Sequence, residues 1–276
     1  MHAVTSNGAH IPALGFGTFR MSKDEVLRIL PQALRIGFRH IDTAQAYGNE
    51  AEVGESIRQS GIPRADIFLT TKVWVDRYRH DALIASVDES LRKLKTDHVD
   101  LLLLHWPGGS DVPMAERLGA LNEVRAAGKV RHIGISNFNA AQMEEAVRLS
   151  DAPIATNQVE YHPYLDQTKI LQAARRHGMS VTAYYAMANG RVPSDPLLND
   201  IAARHGKTAA QVALRWLVQQ PDVVALSKTA REARLKENFA IFDFALTREE
   251  MAAIRDLARP DGRIVNPAGL APKWDD

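Results

Sequence analysis

Eight times along this chain a short apolar run, set in turn-forming residues, is followed by a stretch whose apolar side chains recur at helical spacing. No other feature narrows the possible folds as much. The runs are Leu14–Gly17, Phe38–Asp42, Ile67–Lys72, Val99–His105, Val130–Ser136, Ile154–Gln158, Met179–Tyr184 and Val223–Lys228. Helices are expected from Ser22 to about Ile36 and over Glu50–Gln59, Asp81–Leu94, Met114–Ala127, Ala140–Leu149, Gln167–His177, Leu197–His205 and Arg231–Asn238. In the first, Leu27, Leu30 and Leu34 are assigned to the apolar face. Strands joined through helices pair in parallel, and eight such units close a (β/α)8 TIM barrel. A doubly wound open sheet is the competing arrangement, but no strand here is followed by the GxGxxG turn of that fold.

Three segments fall outside the repeat. Ala3–Thr5 and Ile11–Ala13 flank Asn7-Gly8, a dipeptide that favours a tight hairpin turn, and this N-terminal β-hairpin is expected to act as a small lid. Extra helices are expected at Lys207–Gln219 and Thr247–Ala258, the latter opened by Thr247 and Glu250 in a capping-box pattern. No linker or composition break interrupts the 276 residues, so the chain reads as one domain over 1–276.

Lys+Arg number 34 against 33 Asp+Glu, a balance that argues against a general nucleic-acid or membrane-surface binder. The chain has no cysteine, which removes disulfides and thiolate chemistry and is compatible with a reducing cytoplasm. No apolar stretch approaches the roughly 20 residues that span a bilayer, and no export signal is apparent. The ten histidines include no HExxH pair, so no metal is expected. Monomer is the default, since no exposed apolar run demands a partner.

In a parallel barrel the chemistry lies where the strands end, and these strands end in polar groups. Asp42 and Tyr47 lie in FRHIDTAQAYGNE; Lys72, His105, Ser136-Asn137, Gln158, Tyr184 and Lys228 close later runs. A phenol beside an ammonium, an imidazole and a carboxylate implies proton transfer by tyrosine, with the cation lowering a pKa that starts near 10. On that reading Tyr47 is the acid, Asp42 positions Lys72, and His105 orients a carbonyl oxygen. An Asx turn at Asp42 is the plainer alternative. Lys72 at a strand end would also suit a Schiff-base aldolase. Tyr184 offers a flat face for a cofactor ring, and Ser136, Asn137 and Gln158 are candidates to hydrogen-bond a carboxamide. In SKTAREARLKEN, a helix start flanked by Lys228 and Arg234 suits a phosphate, although Thr229 and Glu232 also fit a plain capping box.

As an ordered set, GFRHIDTAQAYGNE, TTKVW, LLLLHWP, GKVRHIGISNF, NQVEYHPYL and SKTAREARLKEN resemble the aldo-keto reductases, NADPH-dependent enzymes of the barrel fold. The resemblance covers nearly the whole chain and implies a carbonyl reductase acting on a small-molecule substrate. It implies a catalytic tetrad of Asp42, Tyr47, Lys72 and His105, and nicotinamide contacts at Ser136, Asn137, Gln158 and Tyr184. It further implies 2′-phosphate and adenine contacts at Lys228, Thr229, Arg234, Glu237 and Asn238. The closing NPAGLAPKW is similar to that of the bacterial 2,5-diketo-D-gluconate reductases of the B type. Phe19, Trp74, Trp106 and Asn137 are the candidate substrate pocket, with Trp274 a tail lid. Three departures stand out: AYYAMANG where many members read AYSPLG, Ser227 in place of a proline, and Phe19 in place of a tryptophan. A nucleotide-sensing protein with little turnover is the rival from outside enzymology.

Overall fold

The computed structural model describes residues 2–275. A two-stranded antiparallel hairpin comes first, β1 (Ala3–Ser6) and β2 (Ala9–Pro12), turning at Asn7-Gly8. The repeated runs then form β3 (Leu14–Gly17), β4 (His40–Asp42), β5 (Phe68–Val73), β6 (Val99–Leu104), β7 (Val130–Ser136), β8 (Ile154–Glu160), β9 (Ser180–Tyr184) and β10 (Val223–Ser227). All pair in parallel, and β10 bonds to both β9 and β3, so the sheet closes into the expected eight-stranded barrel. Around it lie α1 (Lys23–Ile36), α2 (Glu50–Gln59), α3 (His80–Leu94), α4 (Met114–Ala126), α5 (Ala140–Leu149), α6 (Thr168–Arg176), α7 (Pro196–His205), α8 (Ala209–Val218), α9 (Glu232–Phe239) and α10 (Arg248–Arg255).

Short polar side chains fix where helices begin. Ser22 with Glu25 and Thr247 with Glu250 form the reciprocal capping boxes of α1 and α10, and Asn139 with Gln142 and Thr208 with Gln211 do the same for α5 and α8. Each such cap stabilises its helix by about 1 kcal/mol. Thr229 and Glu232 form no box: Thr229 Oγ1 accepts from the Arg231 N–H at 3.0 Å, and α9 begins one residue later than expected. On α1 the buried stripe is Val26, Ile29, Leu30, Ala33 and Leu34, while Leu27 is exposed. Leu27 is one residue past Val26, about 100° round the helix and off the stripe that 26, 30 and 34 define.

The hairpin is not a lid over the mouth. Ser6 donates to the Ala155 carbonyl, lies 3.0 Å from that of Gly178, and accepts from the Ser180 N–H at 2.8 Å. Asn7 Nδ2 donates to the carbonyls of Ile154 (2.8 Å) and His177 (3.0 Å). All these groups sit where β8 and β9 begin, so the hairpin closes the floor of the barrel. Inside, a β-carbon on Gly15 would stand 2.7 Å from His40 Nδ1, so glycine there makes room for an imidazole in the barrel core. No described helix is long and apolar enough to cross a membrane.

Candidate active site

Strand alternation sends Asp42 and Lys72 inward from neighbouring strands, one pleat above the layer of His40 and Thr70. Both are buried, Asp42 at 2% and Lys72 at 0% exposure. Lys72 Nζ donates to Asp42 Oδ1 at 2.6 Å, to the Thr43 carbonyl at 2.9 Å and to Tyr47 Oη at 3.3 Å. An ammonium has three protons, and all three are used. Burial pulls the Lys72 pKa down, and the Asp42 charge opposes that pull.

Tyr47 sits on a single 3-10 turn, Gln45–Tyr47, which ends at Gly48 in the left-handed region with φ 68°. Gln45 pins this turn to α3, its side chain donating to Ser86 Oγ (3.0 Å) and Ser90 Oγ (3.2 Å), while its side-chain Oε1 accepts from the Trp74 N–H at 3.0 Å. The phenol does not behave as the neighbouring cation alone would suggest. Burial, and after it the negative charge of Asp42, raises its pKa well above 10. Asp42 offsets the Lys72 charge as seen from the ring, so the pair supplies a hydrogen bond without acidifying the phenol.

His105 follows β6, its ring 5.8 Å from that of Tyr47 and 5.1 Å from that of Trp74. Burial and the Lys72 charge hold its pKa well below 6.5, so the imidazole is neutral. Its Nδ1 is buried without a partner among the described residues, which favours the tautomer with the proton on Nε2, since a bare lone pair is less costly to bury than an unpaired N–H.

The expected nicotinamide contacts converge, with one difference. Tyr184 Oη donates to Asn137 Oδ1 at 2.6 Å, Asn137 Nδ2 donates to the His105 carbonyl at 3.0 Å, and Ser136 Oγ donates to the Gln158 carbonyl at 2.8 Å. Gln158 instead turns its amide to Asp42, donating from Nε2 to Oδ2 at 2.8 Å. Asp42 therefore has one oxygen on Lys72 and one on Gln158.

One cleft of about 1210 Å³ joins these groups, running from Phe19 and Trp74 past Tyr47, His105 and Tyr184 to Ser227 and Lys228. Phe19 is 42% exposed and its ring lies 5.0 Å from Tyr47; Trp74, Trp106 and Asn137 also line the cleft. Thr229, Arg234, Glu237 and Asn238 lie beyond its lining. Among them Glu237 accepts from Thr208 Oγ1 at 2.8 Å, and Asn238 donates to Ser227 Oγ at 2.9 Å. Trp274 is not among the lining residues: its indole donates to Asn266 Oδ1 at 3.0 Å and its ring packs against Arg263. The tail contributes Ile264–Pro267 and Leu270 instead. Those residues, with Arg20 and Gln45, escaped the sequence reading, although Gln45 stands inside FRHIDTAQAYGNE. The loop after β9 lines the cleft with Tyr185, Met187 and Asn189, and carries positive φ at Tyr185 (62°), Ala188 (45°) and Asn189 (54°).

A closed parallel barrel with a buried ion pair, a phenol and a neutral imidazole at the C-terminal ends of its strands defines a barrel enzyme whose chemistry is done at that mouth. The chain belongs to the aldo/keto reductase family, whose model matches residues 13–259, and is therefore an oxidoreductase of a family that generally uses NAD(P)H. It is similar to the methylglyoxal reductase DkgB of Escherichia coli O157:H7, 45% identical over 267 residues covering 96% of this chain and 99% of that protein. It is also similar to the morphine 6-dehydrogenase of Pseudomonas putida, 38% identical over 285 residues covering 96% of each. Among solved structures, one described as a candidate 2,5-diketo-D-gluconic acid reductase B superposes with a TM-score of 0.99 at 85% identity, covering 100% of this chain and 98% of that one.

Proposed function

We propose that this protein, one domain over residues 1–276, reduces aldehydes and ketones to alcohols with NADPH, with Tyr47 as the general acid. The observation that carries the reading is the engagement of Lys72: its third proton goes to the Tyr47 oxygen, which leaves the phenol's own proton for an oxygen bound in the cleft. A raised phenol pKa keeps that proton in place until a stronger base appears, and the alkoxide forming on a reduced carbonyl is such a base. His105 donates from Nε2 to the same oxygen and holds the carbonyl in line. As the phenol gives up its proton, the Lys72 hydrogen bond holds the oxygen in place, and solvent then reprotonates it.

The cleft suits a dinucleotide. Its volume exceeds the roughly 300–1,000 Å³ of ordinary small-ligand pockets, and it joins the Tyr184 ring to Lys228 at the start of the α9 segment. When bound, NADPH supplies the hydride. Tyr184 would stack on the nicotinamide, with Ser136 and Asn137 facing its carboxamide and Gln158 offering it the Oε1 that is not used by its bond to Asp42. Lys228, Thr229, Arg234, Glu237 and Asn238 would hold the adenine end, with the cations favouring the extra phosphate of NADPH over NADH. Phe19, Trp74 and Trp106 would wall the carbonyl's side chain. The names of the relatives favour methylglyoxal-type dicarbonyls and 2,5-diketo-D-gluconate as first substrates. Lys72 as a Schiff-base nucleophile has no support from the geometry, because its three protons are committed and its amine is sealed from the cleft.

The test is NADPH consumption by purified protein with those two substrates, aromatic aldehydes and simple ketones, with NADH in parallel. Carbonyl-dependent oxidation of NADPH is the expected outcome; tight NADPH binding without turnover on any carbonyl would favour a nucleotide sensor instead.

A further inference from the structure

One wall of the cleft comes from no strand and no βα loop. It is the segment after α10, whose Ile264–Pro267 and Leu270 line the same cleft as Trp74 and Tyr184. The segment closes a turn at its end, where the Leu270 N–H donates to the Pro267 carbonyl at 3.2 Å, while residues 264–266 lie in no helix or strand and are held by a buried carboxylate.

Gln158 and Glu160 share a face of β8; Gln158 reaches Asp42, and Glu160 stands one pleat higher, paired in register with Tyr184 at the rim. The Glu160 side chain is fully buried. Its Oε1 accepts from the Ile264 N–H at 2.8 Å and from His162 Nε2 at 2.8 Å, and its Oε2 accepts from the Val265 N–H at 2.7 Å. His162 is itself fully buried, and its Nδ1 has no partner among the described residues, so its proton on Nε2 is committed to Glu160. Two further contacts fix the ends of the segment. A β-carbon on Gly262 would stand 1.8 Å from the Tyr164 carbonyl oxygen, and the Gly108 N–H donates to the Leu270 carbonyl at 3.1 Å. Leu270 in turn lies where a β-carbon on Gly109 would meet it at 2.4 Å, beside Val75, between the loops that carry Trp74 and Trp106.

We propose that Glu160 is the latch that fixes residues 264–270 as the substrate-side wall of the cleft, a positioning residue that sets which carbonyl side chains are accepted. Its three partners are all donors, so only a group that accepts on both oxygens serves. Glutamine, nearly the same shape, would turn an NH2 against an N–H and release one strand of the latch. Aspartate keeps two accepting oxygens but falls short by one methylene. Neither residue touches the reacting atoms.

The inference rests on the carbonyl-reductase reading for its kinetic half, and amide exchange tests its structural half without turnover. In Glu160→Gln the Ile264 and Val265 amides should exchange at least about tenfold faster than wild type, with Glu160→Asp intermediate. For the same variant, KM for a bulky aromatic aldehyde should rise about fivefold more than KM for methylglyoxal, with kcat changing less than KM. Gly262→Ala, which pushes the segment off Tyr164 without altering the carboxylate, should reproduce the kinetic split, and it carries the test if Glu160→Gln does not fold. Unchanged exchange at Ile264 and Val265, or loosened amides with an unchanged ratio of the two KM values, would overturn the proposal. A wild-type protein that turns over no carbonyl would instead overturn the functional reading and leave the exchange result to judge the latch.

Discussion

At the scale of single residues, the site is a set of protons whose positions are forced by counting. Lys72 spends one on Asp42, one on the Thr43 carbonyl and one on Tyr47, and Asp42 spends its second oxygen on Gln158. Tyr47→Phe removes the proposed acid but leaves the Lys72–Asp42 pair intact, so kcat for carbonyl reduction should fall by about 10²–10⁴ while the NADPH dissociation constant stays near wild type. Stopped-flow turnover with fluorescence titration of the cofactor separates the two. The pH dependence follows from the sign of the phenol's shift. Because the folded-state pKa is raised, the neutral acid persists through the neutral range, and reduction should show no alkaline loss assignable to Tyr47 between pH 6 and 9. Alcohol oxidation needs the phenolate, so its rate should still be climbing at pH 9. A reduction limb titrating near pH 7 that vanishes in Tyr47→Phe would contradict the raised value.

At the scale of elements, what could be read in the sequence depended on whether the information was local. The strand and helix boundaries were legible to within a few residues because period and caps are carried by the segments themselves; Ser22, Thr247 and Asn7-Gly8 each act on their own neighbours. Where an element docks was not. The hairpin signal says nothing about which end of a barrel it covers, and its partners, Ala155, Gly178 and Ser180, are about 150 residues or more away. The site divides in the same way. Asp42, Lys72 and His105 end strands, so their convergence follows from closing the barrel, whereas the tail wall at 264–270 depends on a long-range carboxylate contact that no local pattern signals. Two predictions belong here. Ser6→Ala unsatisfies the Ser180 N–H at the floor and should cost about 1–3 kcal/mol in denaturant unfolding while leaving kcat unchanged, since the mouth is at the other end. Arg234 on the exposed start of α9 should act on the cofactor alone: Arg234→Ala is expected to weaken NADPH about tenfold to a hundredfold and NADH far less. Equal losses for both nucleotides would remove the 2′-phosphate role.

At the scale of the whole molecule, the barrel core carries a titratable group that ties stability to acidity. His40 lies buried under the Asp42–Lys72 layer, and burial lowers its pKa from 6.5 to about 4, with Asp42 working against the shift. The unfolded chain therefore binds a proton between those values that the folded chain refuses. This contribution is fully present above about pH 6.5 and is lost as pH falls toward 4, amounting to about 3 kcal/mol. Thermal melts across that window should decline more steeply for wild type than for His40→Gln, and parallel slopes would show that His40 is not the group responsible. Closure of the ring has a different consequence, one of timing. β3 is complete by residue 17, but the strand that covers its open edge is β10, ending at residue 227. At roughly 5–20 residues per second, a ribosome leaves that edge unpaired for about 10–40 s, long enough for nascent chains on one message to meet edge to edge. Slowing translation between residues 17 and 227 should therefore lower the soluble yield more than slowing it afterwards, and a chaperone that shields unpaired strands should recover the loss.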